Sequence, residues 1–303
     1  MTEALSAPGI ALRPEALIAL RRMVLTAEPP PVLAALPGGF ATRRKGHGLE
    51  VADVREYVAG DDIRHLDRGT TARTGRLHVR EFQEERDRVT LLVADFRPAM
   101  LWGVRRAFRS VAAAEALALI GWNVIESGGR VGLLALGPGA PVVVPPAGRV
   151  RGMLNVIGGL VRAHEAALAA MAAGEGQDPV LDQGLARADR IVPSGSEIVI
   201  ASGFDVPGPE LADRLNALAR RRVPRLVLIS DGQDLPRGIY PIVTRDGQRL
   251  RVALGGGGAP ESAPGSLPVR EVAGQPALVL DAGAEVAATA RRIVAAFPAE
   301  RAA

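Results

Sequence analysis

Val89-Thr90-Leu91-Leu92-Val93-Ala94, followed by Asp95, is the stretch that decides the fold. A short unbroken apolar run of this kind is a strand buried on both faces. A helix follows it. Phe108, Val111, Leu119 and Trp122 recur on one stripe until Ser127-Gly128-Gly129 stops the pattern. The alternation then repeats, with strands predicted at 131–136, 141–144, 197–202 and 225–230 and helices at about 150–173, 181–191 and 209–221. Strands and helices alternating at this spacing build a mostly parallel sheet covered on both faces. The region 89–232 is therefore read as an α/β core.

Upstream, Pro14 opens a helix carrying Leu17, Leu20 and Val24, and Glu28-Pro29-Pro30-Pro31 ends it. Residues 49–58 and 76–84 read as strands, separated by the polar turn Gly60-Asp61-Asp62 and an Arg-rich stretch. Downstream, Asp246-Gly247 between Ile242-Val243 and Leu250-Arg251-Val252 is a hairpin signal. Residues 255–268, rich in Gly, Ala, Pro and Ser, read as a linker, and a last helix is predicted at about 284–297. This divides the chain into 1–88, 89–232 and 233–303. Neither flanking β region buries enough surface alone, so the N-terminal strands and the 239–254 hairpin are expected to form one small β subdomain.

Composition excludes several classes. The chain has 303 residues, 48% of them apolar, which suits a packed protein rather than a disordered one. It has no cysteine, so neither disulfides nor thiolate chemistry can operate. No basic start leads into an apolar run, and no stretch reaches the roughly 18–20 apolar residues of a spanning helix, so a cytoplasmic location is expected. The net charge is only +4, and a sequence pI near 10.4 arises because Lys45 is the sole lysine among 37 basic residues, the rest being Arg. Between Arg43 and Arg88 there are 11 basic and 10 acidic residues, a mixture that reads as ion pairs. Aromatics are 3%, leaving few platforms for stacking bases, and nucleic acid is not an expected partner. The glycines at 255–258 lack the Gly-Lys-Ser/Thr of a phosphate loop, and no Gly-x-Ser-x-Gly elbow occurs. His47, His65 and His78 match no metal-ligand spacing, and Arg220-Arg221-Arg222 suits a helix C-terminus.

One long motif remains. Arg55-Glu56-Tyr57-Val58-Ala59-Gly60-Asp61-Asp62-Ile63-Arg64-His65-Leu66-Asp67 continues through Ala72-Arg73-Thr74-Gly75-Arg76-Leu77 to Arg80-Glu81-Phe82. It resembles the signature of the bacterial domain-of-unknown-function family fifty-eight, in which such a stretch precedes a von Willebrand factor A-like domain. Met100 and Gly103, Arg130-Val131-Gly132-Leu133 and Leu235-Pro236…Gly238-Ile239-Tyr240 extend the resemblance over residues 40–245 or so. Where the family has Trp after the last motif aspartate, this chain has Arg68. The resemblance implies a Rossmann-like core and a role beside MoxR-type AAA+ ATPases in maturing a client protein. Tyr57, Gly60, Asp61, Asp62, Arg64, Asp67, Arg73 and Arg80 are the residues it marks for partner contact or local structure.

The resemblance also implies a metal-ion-dependent adhesion site: an Asp-x-Ser-x-Ser loop after the first core strand, a Thr from a second loop, and an Asp after the fourth strand. Mg²⁺ would find hard oxygen ligands there. This chain keeps only Asp95 of that set. Arg97 and Ala99 stand where the serines belong, Pro179-Val180 where the Thr is expected, and Gly203 where the second Asp is expected. A guanidinium about 4 Å from a divalent cation costs roughly 8 kcal/mol at an effective dielectric of about 20. No metal or other cofactor is therefore expected, and Arg97 is expected to replace the cation beside Asp95. The alternative keeps a metal-dependent binding or hydrolytic domain using a rebuilt site of Asp95 and Asp205. Ser230-Asp231-Gly232 reads as a turn. The expectation is a protein-binding accessory without catalytic residues.

Overall fold

The computed structural model describes residues 3–26, 45–58, 61–83, 88–175, 178–231, 238–243, 249–254 and 267–298. Residues 38–87 form one compact unit; 1–37 together with 88–303 form the other.

The smaller unit holds β1 (Lys45–Glu56) and β2 (His78–Gln83), paired antiparallel, with the helix α2 (Arg68–Thr74) between them. Sequence patterning had offered only an Arg-rich connection there. The helix forms because Asp67, extended at the N-cap, accepts the Thr70 amide at 2.7 Å, while Gly75 closes the other end in the left-handed region.

The larger unit begins with α1 (Pro14–Thr26) and is organised by a seven-stranded sheet of order β10-β11-β7-β6-β3-β4-β5. Its members are β3 (Val89–Asp95), β4 (Arg130–Leu136), β5 (Val142–Gly148), β6 (Glu197–Ser202), β7 (Val223–Ser230), β10 (Val269–Val272) and β11 (Gln275–Asp281). The strands β11, β7, β6, β3 and β4 run parallel, and only the edges β5 and β10 are antiparallel. Every residue of β3 is buried, as its unbroken apolar run requires. One face is covered by α1, α3 (Arg109–Glu126), α4 (Arg149–Ala172) and α8 (Val286–Ala296). The other is covered by the short α5 (Leu181–Leu185) and α6 (Ala188–Ile191) and by α7 (Leu211–Ala219). Almost all of α3 is buried because neighbouring helices cover it as well as the sheet; the Trp122 Nε1–H donates to the Leu17 carbonyl at 3.0 Å and ties it to α1.

Two expectations change. The hairpin β8 (Gly238–Val243) and β9 (Arg249–Leu254) forms, but as its own sheet and in the other unit from β1–β2, so the flanking β regions do not merge into one sheet. The segment before the last helix also supplies β10 and β11, which sequence reading passed over, and β11 extends the parallel sheet beside β7. The Asp246-Gly247 turn, the proline run at 29–31 and most of the 255–268 linker lie outside the described residues.

Candidate functional site

The C-terminal edge of the sheet is where side chains on strand-end loops converge. Asp95 ends β3 and is 1% exposed. Its neighbour Arg97, 2% exposed, folds back on it: Nε donates to Oδ1 at 2.9 Å and Nη2 to Oδ2 at 2.8 Å, a two-pronged pair. The Arg97 amide adds a bond to Oδ1 at 3.1 Å, and the Ser202 hydroxyl donates to Oδ2 at 2.6 Å. Four donors thus serve one carboxylate. The remaining Arg97 nitrogen, Nη1, donates to the carbonyls of Pro179 and Val206, joining three loops. Burial works against the Arg97 charge, but Asp95, through hydrogen bonds and charge, with Asp178 and Asp205, holds its pKa above the ordinary arginine value.

A second buried arginine completes the edge. Arg109, the first residue of α3 and 4% exposed, donates from Nη2 to Asp205 at 2.7 Å and from Nε to the Ile229 carbonyl at 3.1 Å. Its guanidinium lies 5.3 Å from the centre of the Trp102 ring, within cation–π range. Gly203 is small for a reason. A Cβ there would sit 1.3 Å from Arg109 Nη2 and 2.4 Å from the Asp205 carboxylate. The loop after β6 turns at Phe204, whose φ is +56° and whose amide donates to Ser202 Oγ at 2.9 Å. Ala99 takes part through its amide, which donates to Asp178 at 3.1 Å. Asp231, at the end of β7, accepts the Val104 amide at 2.6 Å and so fastens the 101–107 loop.

The arrangement does not fit a divalent cation. The guanidiniums of Arg97 and Arg109 occupy the carboxylates of Asp95 and Asp205 respectively, and those two acids are held by different cations rather than converging. Among the described residues no group of three or more His, Asp or Glu side chains could hold a metal. Arg109, Ser202 and Asp178 escaped sequence reading. The signal for Ser202 was its position at the end of a buried strand, but nothing local distinguishes Arg109 from other arginines.

Under the same edge lies a further buried polar pair. His164 of α4 is fully buried, with Nε2 2.9 Å from Ser110 Oγ and its ring edge-on to Phe96 at 5.1 Å. Its Nδ1 has no hydrogen-bond partner among the described residues, and burial pushes its pKa down to about 4.

The signature residues sit in the smaller unit. Asp61 takes two bonds from Arg55, both at 2.7 Å, and one from the Val58 amide at 2.8 Å. Asp62 accepts the Arg64 amide at 3.0 Å and pairs with its guanidinium at 3.0 Å. Asp67 is bound by the Thr70 amide and by Arg80 at 2.8 Å, which together hold its carboxyl down at about 2. The Tyr57 amide donates to the Leu77 carbonyl at 2.8 Å, Arg73 lies exposed on α2, and Gly60 is outside the described residues.

Among the described residues, no helix is long and apolar enough to cross a membrane. Uncharacterized proteins of Mycobacterium bovis and Mycobacterium tuberculosis are 32% identical to the chain over 132 residues, which is 44% of this chain. The match covers 41% of those relatives' own length. Residues 53–235 match the protein family of unknown function DUF58, a stretch that takes in the signature turn, the sheet strands β3 to β7 and both arginine-held carboxylates. The chain is a member of that family.

Proposed function

We propose that the chain is a protein-binding accessory of a MoxR-type AAA+ ATPase, acting without catalysis in the bacterial cytoplasm on a client protein. Its core is of the von Willebrand factor A type, with an adhesion site in which arginine has taken the place of the metal. The observation that carries this reading is the buried Asp95–Arg97 pair, because it closes the position where such a core would hold its cation. A strand-end edge sealed in this way offers a rigid surface instead of a reactive one. Support also comes from Trp102 and Val104, 44% and 38% exposed on the loop that Arg109 and Asp231 brace, since exposed aromatics on rigid supports are common anchors of protein contacts.

The test pairs the purified chain with the purified MoxR-type ATPase of the same bacterium. A complex that persists through size-exclusion chromatography, with no melting shift when Mg²⁺ is added to the chain alone, is the expected result. Absence of a complex, or a clear Mg²⁺-dependent stabilisation, removes the reading.

A further inference from the structure

Between Val54 and Arg80 the smaller unit has four carboxylates and six arginines. Each carboxylate has its own arginine: Glu56 with Arg76, Asp61 with Arg55, Asp62 with Arg64 and Asp67 with Arg80. Arg68 and Arg73 are left over, exposed on α2 and without a partner among the described residues. They lie five positions apart, about 140° around the helix axis. Exposed Gly69 and Ala72, both small, fall between them on the helix surface. Within 54–80 every carboxylate is thus paired, while the positive charges of Arg68 and Arg73 face outward.

The same region shows aliphatic side chains to solvent. Val58 is 62% exposed, Ile63 65% and Leu77 50%. Val58 and Leu77 flank the end of the β1–β2 ladder, where the Tyr57 amide meets the Leu77 carbonyl, and Ile63 sits on the turn that leaves it toward α2. Along the sequence they stand beside the ion-paired residues Arg55, Asp61, Asp62, Arg64 and Arg76.

We infer that the exposed face of α2, with Val58, Ile63 and Leu77, is a docking surface for an acidic protein surface with an apolar centre. The charges steer and orient the partner, and the three exposed aliphatic side chains supply apolar area to be buried. A nucleic acid fits less well: Tyr57, half-buried, is the only Phe, Tyr or Trp between Val54 and Arg80, and three exposed aliphatics gain nothing from a phosphate backbone. This inference rests on the reading of the chain as an ATPase accessory and assigns that partner's contact to the signature unit.

The experiment measures binding of the full-length chain to the same purified ATPase. Arg68→Glu with Arg73→Glu should weaken the complex at least about tenfold, whereas Arg68→Lys with Arg73→Lys should retain most of it. Ile63→Ser with Leu77→Ser should weaken it comparably and with less dependence on salt. Far-UV circular dichroism and melting establish that each variant is folded, and the Lys pair isolates charge from any loss of structure. If wild type binds and the Glu pair binds equally well, the docking surface lies elsewhere and this inference falls while the accessory role stands. If wild type does not bind, both fall. Binding of a short DNA duplex that the Glu pair abolishes would reassign the arginines to nucleic acid and overturn the proposal.

Discussion

A buried arginine beside a buried aspartate is stable only as a pair. Asp95 and Arg97 are each nearly inaccessible, and removing one partner leaves the other charge desolvated. Arg97→Ala is therefore expected to destabilise the chain by about 3–5 kcal/mol, read as a shifted denaturation midpoint at unchanged slope. An unaltered midpoint would mean that the four donors around Asp95 do not hold a charge there. Rebuilding a cation site by Arg97→Ser, Ala99→Ser and Gly203→Asp runs into Arg109, which occupies the volume a side chain at 203 would need. Gly203→Asp alone should lower stability and confer no Mg²⁺ dependence, and only joint truncation of Arg109 could make room. His164 adds a pH term. Its folded pKa of about 4 lies below the ordinary histidine value of 6.5, so the unfolded chain binds more protons between those limits. The contribution is full above 6.5 and is lost as pH falls toward 4, up to about 3 kcal/mol. His164→Gln should flatten the stability profile over that window, and an identical slope in both proteins would refute the assignment.

Helix α4 shows how one residue type has opposite meanings along one element. A Cβ on Gly152 would meet the Ala147 carbonyl oxygen at 2.2 Å, and backbone cannot move aside. On Gly158 it would meet only the Arg162 guanidinium at 3.4 Å, the mobile end of an exposed side chain. Gly152→Ala should therefore destabilise, while Gly158→Ala should stabilise by roughly 0.5–1 kcal/mol through helix propensity. Equal signs in thermal melts would break this argument. Elements of strong period were legible in advance. The strands β3, β4, β6 and β7 declared themselves as apolar runs, and α3 by its stripe and glycine stop. The strand β11 was missed although Ala277-Leu278-Val279-Leu280 is buried almost throughout, because Pro276 and the neighbouring Gly-rich stretch weakened its strand signal. The helix α2 was missed because Arg, Gly and Thr carry little apolar period, and only the Asp67 cap reveals it. At the site, the Asp95–Arg97 pairing followed from two residues on one loop. Arg109 did not, since its partners Asp205, on the loop after β6, and Ile229, in β7, lie 96 and 120 residues away.

Across the whole chain, hydrophobic burial is unevenly shared. The larger unit packs apolar side chains on both faces of its sheet, whereas in the smaller unit Val79 is the sole hydrophobic residue found buried among the described side chains. A two-stranded sheet is marginal by itself, and exposed ion pairs add little to it. The smaller unit is therefore expected to open at a lower free energy than the sheet does. Native-state hydrogen exchange can resolve this through amides of known partner. The Tyr57 and Asp67 amides, bonded to the carbonyls of Leu77 and His78, should exchange through a low-energy opening, while the Phe96 amide, bonded to Leu136, should need global unfolding. A bound partner that grips α2 and the Ile63 turn would raise the protection of the first pair and leave Phe96 nearly unchanged, because binding stabilises only the opening it opposes. If Tyr57, Asp67 and Phe96 share one opening free energy before any partner is added, the two units unfold as one, and the signature region gains its stability from the rest of the chain rather than from what docks on it.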